Sequence, residues 1–143
     1  MAPDHDVQPH PTSPTRRNIG GSSPWEGVVG YSRAVRVGNV IHVAGTTATV
    51  NGEVVAVGDA YGQTRVALEI VARALEAAGA GLEHVVRTRM YVTDIGQWEA
   101  VGRAHGEVFA SIRPAASMVQ VAALIDPRHL VEIEAEAIVP EGT

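Results

Sequence analysis

Apolar and polar residues change their rhythm several times along this chain, and each change predicts an element. Val28, Val29 and Tyr31 open a strand-like run. Ala34–Val37 and Val40–Ala44 flank Gly38-Asn39, a two-residue hairpin signal. A second signal, Asn51-Gly52, lies between the strand candidates Thr47–Val50 and Glu53–Ala56. The rhythm then changes to three and four. Thr64, Ala67, Leu68, Val71, Ala74, Leu75 and Ala78 form one apolar stripe, with Asp59 as the N-cap and Gly79 and Gly81 as the stop. Gln63, Arg65, Glu69, Arg73 and Glu76 fall on the polar side. Val86, Thr88, Met90 and Val92 alternate with Arg87, Arg89 and Tyr91, which predicts a strand with two unlike faces.

Asp94 caps a second helix with Trp98, Val101, His105, Val108 and Phe109 inward, and Pro114 stops it. Ser117–Ala122 and Leu130–Ile138 read as the last two strands, joined through a turn near Asp126-Pro127. The predicted order is a β-meander, then α, β, α, β, β. That order defines an α+β fold, a mostly antiparallel sheet with two helices on one face. Residues Met1 to Pro24 read as a disordered or extended tail, because they hold five of the eight prolines and almost nothing apolar. Residues 25–143 then form one domain.

Composition adds three restrictions. The chain is 45% hydrophobic but only 4% aromatic, so its core is built of small side chains. Such a core buries little area per residue, which favours giving the sheet's other face to a partner subunit. A net charge of -5 with scattered arginines argues against a nucleic-acid groove. Cysteine is absent, which removes disulfides, thiolate nucleophiles and Cys-type zinc sites. No apolar run reaches the ~20 residues of a membrane helix. The N-terminal stretch lacks the basic-then-apolar order of a secretory signal, so the expected compartment is the cytoplasm.

Three sets of residues could carry chemistry. Glu132, Glu134 and Glu136 alternate with Val131, Ile133, Ala135 and Ala137, so the three carboxylates share one strand face. Either they form a solvated face, turning to water or to Arg87 and Arg89, or one enters a cleft as a proton acceptor. Burial would raise the pKa of such a group. Tyr31, Ala44, Gly45 and Thr46 form either a ligand-approach point or an ordinary strand end. Arg113 offers a fork for a carboxylate or is a surface cation. His42 and His105 fit hydrogen-bonded core histidines; His5 and His10 lie in the tail. No metal-ligand spacing, phosphate loop or nucleophile elbow is present.

Several segments, taken in order, resemble the Rid family (YjgF/YER057c/UK114). They are Gly30-Tyr31-Ser32, Val40 through Gly45, Gln63–Ala78, Thr88 through Asp94, and Arg113-Pro114-Ala115 through Val131-Glu132-Ile133-Glu134-Ala135. The resemblance implies a chorismate-mutase-like fold and a homotrimer with clefts between subunits. It also implies cofactor- and metal-free hydrolysis of enamines or imines to an oxo compound and ammonia. Residue by residue, it implies Glu132 as the catalytic glutamate. Tyr31, Ala44, Gly45, Arg113, Ala116 and Ser117 then line the substrate site. In deaminating members an arginine pairs with the substrate carboxylate, and here Ala116 stands in that place. Gly102 stands where an asparagine is common. Two readings follow: a hydrolase of C–N bonds, and a non-catalytic trimer that binds a small metabolite. A ribonuclease or translation inhibitor is a third, disfavoured by the acidic charge.

Overall fold

The computed structural model describes residues 15–140. Met1 through Pro14, including His5 and His10, and residues 141–143 lie outside the described residues. The sequence-assigned tail nevertheless contributes to the sheet. Arg16–Ile19 (β1) pairs antiparallel with Ala34–Val37 (β2). β2 pairs through the predicted Gly38-Asn39 turn with Val40–Thr46 (β3). Thr49–Val50 (β4) and Glu53–Val54 (β5) form the second predicted hairpin, a small separate sheet. Ala60–Ala77 (α1), Val85–Val92 (β6), Trp98–Phe109 (α2), Ala115–Gln120 (β7) and Val131–Ile138 (β8) follow. The main sheet runs β1-β2-β3-β8-β6-β7. Among the described residues, only the β6–β7 pair is parallel. β7 and β8 follow one another in sequence but are separated by β6.

Local chemistry explains the borders of α1. Asp59 Oδ1 accepts from Gly62 N at 2.9 Å, a cap of roughly 1 kcal/mol. At the other end Gly79 adopts φ +86°, where a side chain would be strained. Gly79 N donates to Glu76 O at 3.0 Å and Ala80 N to Leu75 O at 2.8 Å, which closes the helix. Arg17 of β1 and Arg36 of β2 then donate to the carbonyls of Ala77 and Ala78. Two cations thus meet the negative end of the helix dipole.

Both helices cover one face of the sheet. The stripe Thr64, Ala67, Leu68, Val71, Ala74, Leu75 and Ala78 is buried as expected, against Ile41, Val43, Val131, Ile133, Ala135 and Ala137. Thr88 is buried beneath α2, with His105 Nε2 2.8 Å from its hydroxyl. Burial lowers the His105 pKa. Among the described residues, no helix is long and apolar enough to cross a membrane.

Other expectations are corrected too: His42, read as a core histidine, has a side chain that is 63% exposed. Val28 and Val29 belong to a wide helical turn, Glu26–Gly30, closed by Tyr31 N donating to Glu26 O; they are 75% and 69% exposed. Val86 faces out because the β6–β8 register shifts between Val85 and Arg87, and Val85 takes the inner place. Trp98 opens α2 on the surface, and Ala104 is buried in its stripe. Gln63, expected on the polar side, is fully buried. Its Oε1 accepts from Leu130 N at 2.7 Å, and its Nε2 donates to Arg128 O at 3.0 Å. Gln63→Leu should therefore cost about 1–3 kcal/mol, since it leaves two part-buried backbone groups without their partner. A lowered urea midpoint with unchanged slope checks this.

Candidate functional site

β8 lies between β3 and β6, and its alternation separates two environments. Val131, Ile133, Ala135 and Ala137 point into the helix layer and are buried. Glu132, Glu134 and Glu136 share the opposite, helix-free face. Two of these carboxylates have partners. Tyr91 Oη donates to Glu134 Oε1 at 2.8 Å. Arg89 Nη1 lies 3.1 Å from Glu136 Oε2, with His42 Nδ1 at 3.6 Å from the same oxygen. Arg87, expected to serve the same row, instead donates to Ser117 Oγ at 3.0 Å.

Glu132 differs. Among the described residues it makes no side-chain hydrogen bond or ion pair. It is half-buried, and desolvation raises its pKa. The neighbouring Glu134 charge adds to that rise, and Arg33 opposes it. A half-buried carboxylate without a donor is poised to accept a proton rather than to hold an ion pair.

Its seat is cut by a β-bulge. Val43 pairs with Ala135 and Thr46 with Ile133, so Ala44 and Gly45 together oppose the single residue Glu134. Gly45 makes the space for Glu132. A Cβ at residue 45 would press on Glu132 Oε2 and lie 2.9 Å from Cδ. Arg33, which immediately precedes β2, closes the bulge. Its Nη2 lies 2.7 Å from Ala44 O, 2.9 Å from Gly45 O and 2.7 Å from Thr46 Oγ1.

An open groove of about 890 Å³ runs beside this seat, lined among others by Tyr31, His42, Ala44, Arg89 and Glu134. Neither Gly45 nor Glu132 is among its lining residues. Tyr31 stands at the groove's edge, its hydroxyl donating to Ser23 Oγ at 3.1 Å. Among the described residues, no group of three or more His, Cys, Asp or Glu is placed to hold a metal.

The predicted site residues therefore divide. Ala44, Gly45 and Glu132 come together, with Tyr31 beside them. Arg113, Ala116 and Ser117 do not. Ala116 pairs with Thr88 on β7, the far edge strand, so β8 and β6 separate it from β3. Ser117 sits on that edge too, and Arg113 precedes it, exposed, at φ +56°. Of Arg103 and Arg33, the first stacks over the Tyr61 ring at 4.2 Å on the helix layer. Arg33 alone of these acts on Glu132.

A mixed, mostly antiparallel sheet with two helices on one face makes this a small α+β protein. Comparison with known proteins gives the family. The family model for Endoribonuclease L-PSP matches residues 22–139, and the chain belongs to this family, also called YjgF/YER057c/UK114. The crystal structure of Rv2704 from Mycobacterium tuberculosis, a YjgF/YER057c/UK114 member, is 50% identical. It superposes with a TM-score of 0.77 over 87% of this chain and 99% of that one. The Streptomyces coelicolor protein SCO2049 is 42% identical over 126 residues, 88% of this chain and 94% of its own. The 3-aminoacrylate deaminase RutC of Acinetobacter baylyi is 36% identical over 108 residues, 75% of this chain and 85% of its own.

Proposed function

We propose that this protein is a cofactor-independent hydrolase of a reactive imine, enamine or related C–N bond. The observation that carries the reading is Glu132, half-buried, without a hydrogen-bond donor among the described residues and seated against Gly45. In the proposed reaction Glu132 takes a proton from water as the oxygen adds to the imine carbon. Returned to nitrogen, that proton gives a carbinolamine; its hydroxyl then loses a proton, which Glu132 carries to the amine nitrogen as the C–N bond breaks, giving the carbonyl compound and ammonia. An enamine first tautomerises to the imine, gaining a proton at carbon and losing one from nitrogen. The likeness to the deaminase RutC supports the C–N chemistry.

The active assembly in this reading is a homotrimer in the cytoplasm, with its clefts between subunits. Two observations support the trimer. The helix-free sheet face leaves Val37, Val119 and Ile138 exposed. Ala116 and Ser117 are too far across the sheet to share a pocket with Glu132 of the same chain, and a neighbouring protomer would bring them in. Light scattering at micromolar concentration checks the assembly, and a monomeric mass rejects it.

Ala116 sets the substrate preference. A methyl group cannot pair with a carboxylate, and truncating one partner of a buried charge pair costs about 2–5 kcal/mol. At ~1.4 kcal/mol per decade, 2- and 3-aminoacrylate should react about 30- to several-thousand-fold more slowly than with an arginine present. Uncharged imines should be the better substrates. The test follows ammonia release from aminoacrylates and uncharged imines, generated in situ, with wild type and Ala116→Arg. Faster turnover of uncharged imines, and a gain on aminoacrylates in the variant, support the reading. A wild type inert toward all of them favours the second reading, a trimer that binds a metabolite without converting it; the lack of a cation at residue 116 speaks for it. The endoribonuclease of the family's description fits least well with a net charge of -5.

A further inference from the structure

Arg33 sits at the one point where three strands converge on the bulge. Its backbone N–H donates to Ile19 O at 2.9 Å, and its carbonyl accepts from Ala44 N at 3.0 Å. The residue is thereby locked between β1 and β3 just beyond the regular β2 ladder. Its side chain then turns back over β3. One nitrogen, Nη2, faces three acceptors: the carbonyls of Ala44 and Gly45 and the hydroxyl of Thr46. The bulge takes these two residues out of register with β8, and Arg33 supplies a donor to both of their carbonyls. Thr46 Oγ1 also donates to Ala44 O at 2.7 Å, which braces the same turn. The guanidinium Nε is buried, with no hydrogen-bond partner among the described residues. A cation held in this way is costly to desolvate, and burial lowers its pKa against the fields of Tyr31, Glu26 and Glu132. Arrangements that leave a donor buried and unmatched call for an explanation beyond packing.

We propose that Arg33 is a positioning residue of the Glu132 site: its guanidinium clamps the Ala44–Gly45 bulge and fixes a positive charge on the glycine against which Glu132 is seated. The proposal rests on the hydrolase reading for its effect on rate, but not for its effect on Glu132. The clamp matters because Glu132 occupies the space that Gly45 leaves open, so a bulge that relaxes moves the wall of the seat. The charge matters because Glu132 is otherwise faced by Glu134 on its own strand and by Tyr91, its register neighbour on β6. Arg33 is the cation that favours the ionised form against burial and Glu134.

The two roles separate by substitution. Arg33→Gln removes the charge and most of the clamp. Arg33→Lys keeps the charge but replaces the planar fork by a single ammonium. The resting protein is titrated first, following the Glu132 side-chain carboxyl by carbon NMR, with no substrate present. Arg33→Gln should move the Glu132 midpoint upward, and Arg33→Lys should leave it close to wild type. In turnover of the best imine, both variants should lose about 10- to 100-fold in kcat, with KM changed by less than about threefold, because the seat is misplaced rather than the substrate lost. For Arg33→Gln the acidic limb of the rate profile should move upward with the NMR midpoint. If Arg33→Gln does not accumulate as folded protein, Arg33→Lys decides through kcat. A Glu132 midpoint unmoved in Arg33→Gln, or full kcat in Arg33→Lys, overturns the proposal. If wild type converts no imine, the hydrolase reading fails, and the NMR titration alone decides whether Arg33 governs Glu132.

Discussion

Glu132→Gln should lower kcat/KM for imine hydrolysis by about 10²- to 10⁴-fold, the usual contribution of a positioned general base. The amide keeps the shape of the side chain but cannot take a proton. The pH profile supplies an independent signature. Burial and then the Glu134 charge raise the Glu132 pKa above its ordinary 4.5, so the carboxylate forms only as pH rises through that elevated value. Wild-type activity should follow this acidic limb, and any residual activity in the variant should not. Stability moves the other way. A raised folded-state pKa gives stability that is complete below the unfolded value and is lost as pH rises through the folded one. At neutral pH the ionised Glu132 is thus a burden on the fold, and Glu132→Gln should melt at a higher temperature than wild type. An inactive but destabilised variant would point to a structural role. A fully active one would end the assignment.

Gly45→Ala should do nearly as much damage from the opposite wall. Gly45 does not use the left-handed backbone region, so alanine is conformationally acceptable there. The three atoms nearest the new methyl all belong to the flexible Glu132 side chain, its carboxyl group foremost. That side chain can swing away, so the fold should survive with a melting temperature near wild type while the carboxylate leaves its seat. A displacement of about 1 Å can cost about 10²-fold in rate, and a loss of that order is expected in kcat. Shortening the acid should relieve the clash, so Gly45→Ala combined with Glu132→Asp should exceed Gly45→Ala alone. Full activity in the single variant would show that Glu132 does not work from this position.

The sequence made legible whatever depends on neighbours along the chain. The Asp59 cap, the Gly38-Asn39 turn and the β8 alternation are local, and each is where the pattern places it. Failures came where distant segments decide. Val28 and Val29 are apolar but exposed, because a wide turn, not a strand, carries them. Val86 is displaced by a register shift that alternation cannot foresee. Gln63 looks like a polar-face residue, yet its amide serves backbone groups some 65 residues further on. The site divides in the same way. That Glu132 shares a face with two other glutamates follows from period two. That it alone lacks a partner depends on Tyr91, Arg89 and His42 from other strands. Arg33 was one of several arginines until the bulge in β3 brought its three acceptors together, and no spacing in the sequence announces that bulge.

β8 also has a consequence for anyone who would redesign this protein. Its odd-numbered side chains are anchored in packing that admits little change. Its even-numbered ones, at 132, 134 and 136, stand like three pegs on a board already fixed in place. New chemistry could be tried at those pegs, one side chain at a time, on a scaffold whose interior need never learn of the exchange.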